Sequence, residues 1–223
     1  ASEDSLPSEV VDNSRIASAP WVFTSDANRR IIERIDAVGA PLHLCVALGK
    51  GMETGANKVF ASLSEQMLIT MGIPKELHFR RARNSDIHAF SLDRHDRYVL
   101  YLEDYSTFDQ LPSAVQDYLE QNRDALEKRA AYRRGDCDWW RFTWPLHKNE
   151  LRTPRILTPY LSQQNRFALD DNCEFIGLTD TTILYLSHET PEDPLYLLAL
   201  LNSSVLNFRF RFMTKDKGNG VLE

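Results

Sequence analysis

Residues 194–210 are almost all apolar, and this run constrains the fold more than any other segment of the chain. It reads as a helix that is hydrophobic on every side, and such a helix has to be buried in the middle of a domain. Its longest uninterrupted apolar stretch, 195–201, ends at Asn202, Ser203 and Ser204. That is far too short to span a bilayer, so no membrane partner is expected. A chain with such a helix needs layers to cover it. The 223 residues suffice for one large domain with a real core, and 26% charged residues is ordinary for a globular surface.

The rest of the chain supplies those layers. Residues 1–19, rich in Ser, Asp and Glu, read as a flexible lead-in without the basic start and apolar run of a signal peptide. Trp21 and Phe23 read as the first anchored residues. Ser25 or Asp26 can cap a helix to Val38, with Ile31, Ile32 and Ile35 on its buried side and Gly39 as its stop. Residues 42–48 and 58–63 read as strands around a glycine-containing loop, 49–57. Residues 72–97 are irregular and polar, with five arginines, and 98–103 is a strand. A long amphipathic helix is expected over 113–133, with Ser113 and Gln116 as a capping box and Val115, Tyr118, Leu119 and Leu126 on one face. Residues 135–141 read as a turn into a short aromatic strand, and 155–158, 173–177 and 181–187 as three further strands. Strands and helices in this irregular order predict an α+β domain: a mixed, twisted β-sheet with the buried C-terminal helix and the long amphipathic one. The domain is expected over 20–212, with a charged, glycine-rich tail over 213–223.

Enzymatic chemistry finds no foothold. Lys50, Gly51 and Gly55 lack the ending of a phosphate-binding P-loop, and no HExxH, GxSxG or CxxC occurs. The six histidines have no metal-ligand spacing, and Asp136 and Asp138 fit a polar turn better than a chelate. Neither a catalytic nor a metal site is expected. Three widely spaced cysteines, Cys45, Cys137 and Cys173, imply a reduced, cytoplasmic setting.

The net charge of −6 argues mildly against nucleic acid, but the average conceals a pattern. Residues 128–155 carry 8 basic and 3 acidic side chains, between two acidic flanks. Solvated surface of uneven charge and a binding patch both fit this pattern.

A series of short segments, in a fixed order, carries more information. Residues 50–60, with Lys50, Gly51, Thr54, Gly55, Asn57 and Phe60, resemble the KGxxTGxNxxF segment that opens the TaqI-like C-terminal specificity domain of adenine DNA methyltransferases and fused type II restriction–modification enzymes. Similar matches follow at 73–77, 83–87 and 98–101, at 126–129 with Trp139 and Trp140 (an LxxR…WW element), at 155–159 (KIxxP), and at 197–203 (LLALLNS). Together they cover roughly residues 40–210. The family continues past a basic tail where this sequence stops at Glu223, which implies an excised piece of a longer protein. The [ND]PP[YF] quartet that holds a flipped adenine is absent, with only Thr158, Pro159 and Tyr160 as a superficial echo. The resemblance therefore implies a recognition module for double-stranded DNA that is not itself catalytic and holds no cofactor. A methyltransferase domain acting in cis would use AdoMet, and a fused nuclease Mg²⁺.

Such a module needs cations and backbone N–H groups on phosphates, and a few side chains on base edges. Arg133, Arg134, Arg141, Lys148, Arg152 and Arg155 in the basic stretch are the expected contacts. Arg81 and Arg83, with Arg80, form a second patch, and Lys50, Thr54, Asn57 and Lys58 a third in the glycine loop. That loop also reads as a tight turn whose glycines supply positive φ and whose Thr54 and Asn57 bond to the main chain. Trp139 and Trp140 are expected one in the core and one near the surface. The alternative to DNA recognition is a protein–protein docking module of a DNA modification or phage-defence complex.

Overall fold

The structure, a computed structural model, describes residues 24–186, 192–214, 217 and 221. The lead-in 1–19, Trp21, Phe23 and most of the tail lie outside the described residues. The chain divides into two compact units, one through Gly39 and one from Ala40 onward. The first contributes helix α1, Asp26–Val38, where the Ser25 side chain accepts the Asn28 N–H and Gly39 ends the helix, as the sequence predicts.

The second unit is built on two sheets. Strands β1 (Ala47–Lys50), β6 (Arg155–Pro159), β7 (Ala168–Asp170) and β9 (Thr181–Tyr185) form an antiparallel sheet in the order β1-β9-β6-β7. Strands β2 (His78–Ala82), β5 (Tyr98–Leu100) and β8 (Phe175–Gly177) form a mixed sheet, β5-β2-β8, in which β2 and β8 run parallel. A two-stranded hairpin, β3 (Ile87–His88) and β4 (Ser91–Leu92), packs on the first sheet. The α+β class with mixed pairing is as expected.

Directly opposed residues share a sheet face, so the register sorts the core. Ile156 opposes Leu184, and with Val46, Phe167 and Leu186 they meet α7 (Pro194–Leu201) through Leu197, Leu198 and Leu201. Gly49, Ile183, Leu157 and Ala168 face the other way, where Leu157, Ala168 and Ile183 join Ile87 and Phe175. The largest apolar cluster surrounds the second sheet and the short helices α2 (Asn57–Phe60), α3 (Glu65–Thr70), α4 (Ser113–Gln121) and α5 (Arg123–Glu127).

Four expectations are corrected. The apolar C-terminal run is two helices, α7 and α8 (Ser204–Phe210), because Asn202 ends the first and Ser203 caps the second with its side chain. One side of the pair is open: Leu195, Tyr196 and Val205 are more than half exposed. The long helix is three pieces, α4, α5 and α6 (Ala130–Arg134). Asn122 turns its amide onto the Tyr118 carbonyl, and Arg129 leaves helical geometry at φ −61°, ψ 136°. The capping box is not made. Pro112 precedes the first helical residue, and Gln116 donates to the Leu111 carbonyl instead. Residues 57–60 are a helical turn where a strand was expected, with Val59 and Phe60 buried side by side.

Candidate nucleic-acid interface

The glycine loop is a turn, and both glycines serve close approaches within the protein. The backbone N–H of Gly51 reaches the Thr181 carbonyl, and a Cβ there would lie 1.8 Å from the Leu178 carbonyl oxygen. Gly55 has φ +68°, and a Cβ would come within 2.1 Å of Thr143 Oγ1. Thr54 is buried. Its hydroxyl donates to Asn57 Oδ1 (2.6 Å) and accepts the Ala56 N–H (3.1 Å). Gly51→Ala should therefore cost about 3 kcal/mol or more by forcing β1 away from Leu178. A urea midpoint equal to wild type would contradict this packing.

Arg129 joins this turn to two other loops. All five of its guanidinium N–H groups donate to backbone carbonyls: Nε to Leu126, Nη1 to Thr54 and Arg141, and Nη2 to Asp138 and Trp139. The side chain is buried, and that burial pulls its pKa below the ordinary value, opposed by the nearby Cys137 and Glu103. Next to it, buried Glu103 takes the Phe142 N–H on Oε1 and Arg141 on Oε2 at 3.0 Å. Arg141 continues to the Tyr105 and Ser106 carbonyls. Residues 139–140 form a turn, not a strand. Trp140 is in the core, and Trp139 lies half-buried under Arg123, whose guanidinium sits 4.7 Å from the ring centroid.

These loops surround an open hollow of about 560 Å³, lined in part by Glu103, Tyr132, Asp136, Asp138, Arg141 and Lys148. The basic stretch thus brings Arg134, Arg141 and Lys148 together here, with Arg134 paired to Asp136 at 2.7 Å on the rim. The positive charge is matched by carboxylates except at Lys148, whose ammonium has no hydrogen bond or ion pair among the described residues. Arg133, beside the rim, and Lys58, just beyond the turn, are exposed, and their side chains are likewise without partner among the described residues.

The other expected contacts are not gathered there. Lys50 ends β1, level with Thr182 and Thr158, at the opposite end of the first sheet from Arg155, and its ammonium stands over the Tyr160 ring. Arg155 is 1% exposed and all its donor groups are engaged inside, by Asp170, the Leu151 carbonyl and the Phe175 carbonyl. Arg152 makes an exposed pair with Asp104 at 2.9 Å. Half-buried Arg81 donates to the Ala61 carbonyl. Arg83 grips Asp86 with two nitrogens, at 2.8 and 2.9 Å. Burial works to raise the Asp86 pKa, but hydrogen bonds from Arg83, Ser85 and the Arg83 backbone outweigh it and hold the carboxyl below its ordinary value.

Sequence reasoning therefore named several structural arginines as contacts and passed over Arg129 and Glu103, which hold the hollow together. Only the LxxR segment hinted at Arg129, and nothing hinted at Glu103. Asp136 and Asp138 take up Arg134 and Arg141.

Neither a protein-family model nor a curated protein matches this chain. Solved structures do. The fold is similar to part of the Type IIL restriction–modification enzyme MmeI, solved in complex with DNA. The two superpose with a TM-score of 0.51 at 16% identity, over 71% of this chain and 21% of MmeI. A second match, at a TM-score of 0.47 and 14% identity, is the type IIG restriction endonuclease BpuSI, over 85% of this chain and 24% of that one. The chain thus spans a quarter or less of either enzyme, and the likeness is one of fold.

Proposed function

We propose that this chain is a sequence-specific double-stranded DNA recognition domain of a restriction–modification enzyme. The observation that carries the reading is the likeness in fold to part of an enzyme solved in complex with DNA. The ordered TaqI-like segments of the sequence support it independently. In this reading the chain contributes no catalytic group. It works in cis with an AdoMet-dependent adenine methyltransferase domain, in the cytoplasm, and Mg²⁺ enters only with a fused nuclease.

The phosphate contacts are the exposed cations at the hollow, Arg133 and Lys148, with Arg134 joining once Asp136 releases it, and Lys58 beside the glycine turn. Phosphate contacts set register without reading sequence. Changing Lys58, Arg133 and Lys148 together to Ala should therefore weaken binding to all duplexes alike. Removing three phosphate contacts should reduce the slope of log affinity against log salt by about 3. Fluorescence-anisotropy titration of wild type and triple variant checks this, and equal affinities would remove the hollow from the interface. Arg152→Ala should change stability by less than about 1 kcal/mol, since its pair is exposed.

A further inference from the structure

The β3–β4 hairpin ends in a two-residue turn, Ala89 and Phe90, because Ile87 opposes Leu92 and His88 opposes Ser91. Phe90 takes the second turn position at φ +71°, where glycine or asparagine is the usual occupant. A bulky residue in that region is strained, and it persists only where its surroundings hold it. Here they do. The Phe90 N–H donates to the Phe167 carbonyl at 2.9 Å, and the Asp93 N–H to the Asp86 carbonyl. His88 Nε2 and Asp93 Oδ2 share a 3.0 Å hydrogen bond across the base of the hairpin. Ile87 is fully buried beneath. Yet the Phe90 ring gains no burial from this, being 58% exposed. A strained backbone that presents an aromatic ring to solvent on a rigid hairpin is not accounted for by packing.

Charge indicates what the ring meets. Of the five arginines in residues 80–97, Arg83 is paired with Asp86 and both Arg80 and Arg94 with Glu174, which leaves Arg81 and Arg97 with no carboxylate partner among the described residues. Arg166 joins them from the segment that leads into β7, donating to the Ile87 carbonyl and to Asn84. The hairpin thus presents an aromatic tip with Arg166 bonded at its base and with Arg81 and Arg97 in the same stretch of chain, the combination that suits stacked bases flanked by phosphates.

We propose that Phe90 is a wedge that enters the base stack of bound duplex DNA, with the arginines of the hairpin region steering the backbone on either side. This rests on the DNA-recognition reading and adds a specificity-determining residue to it, because steps that unstack easily would be favoured. The ring, not the hairpin, carries the effect.

The test begins with a pool of randomised duplexes from which the wild-type protein selects its preferred sequence. That duplex is resynthesised with 2-aminopurine at successive positions. Wild type should raise the fluorescence at one step. Phe90→Asn, which suits the left-handed turn, should keep or raise the melting temperature and leave the salt slope unchanged. It should abolish the fluorescence rise and bind about tenfold more weakly, the loss of one base–aromatic contact. Phe90→Trp should retain the signal. Unchanged affinity and fluorescence in Phe90→Asn would overturn the wedge and leave the DNA reading standing. Failure of wild type to bind any duplex in the pool would overturn both.

Discussion

Arg155→Ala is expected to destabilise the protein by about 3–5 kcal/mol, and not to act as the loss of a DNA contact. Arg155 starts β6 from inside the core, where Nε meets Asp170 Oδ2 at 3.1 Å, Nη1 the Leu151 carbonyl at 2.6 Å and Nη2 the Phe175 carbonyl at 2.7 Å. Asp170 in turn accepts the backbone N–H groups of Glu174 and Phe175. The pair thus joins β6 and β7 of one sheet to the start of β8 in the other. Truncating the arginine leaves a buried carboxylate uncompensated and two carbonyls unpaired, which is the costly way to break such a pair. For a chain of this length the melting temperature should fall by about 10 °C. Arg155→Lys should rescue little, because an ammonium cannot reproduce the planar fork. Thermal unfolding followed by circular dichroism checks both. A variant that melts like wild type yet binds DNA more weakly would return Arg155 to the interface.

Arg129→Ala should be of similar size. It strips the donor from five carbonyls, four of which lie in the turn and loops that shape the hollow. Leaving several of these unpaired in the interior should cost on the order of 3 kcal/mol or more. The damage should be local before it is global. Hydrogen exchange should show residues 54–57 and 138–144 losing protection, while the β1-β9-β6-β7 sheet, which holds none of the five carbonyls, stays protected until global unfolding. Equal protection of these loops in variant and wild type would show that something other than Arg129 holds them.

The two arginines show where sequence is readable and where it is not. Elements with strong local chemistry were legible: α1 between Ser25 and Gly39, the strand at Tyr98, and β6 at Arg155. The α+β class followed from their order. Breaks made by tertiary demand were not legible. The helical face of Val115, Leu119 and Leu126 runs unbroken in the sequence, yet the chain bends at Asn122 and again at Arg129 so that Arg129 can reach the other loops. The β3–β4 hairpin escaped notice because its strands are two residues each and its turn carries Phe instead of Gly. The fate of an arginine is invisible in composition. Arg155 and Arg133 contribute the same charge to the basic stretch, and only the fold separates the buried one from the exposed one.

In the proposed function this chain grips duplex DNA through its exposed cations, while its buried arginines hold the fold. The most direct measurement is the affinity of the protein for duplex DNA between roughly 50 and 200 mM salt. Tight binding at low salt and a linear fall of log affinity with log salt, with a slope of about −3 or steeper, are expected. Absence of duplex binding at the lowest salt, or an affinity indifferent to salt, would contradict it.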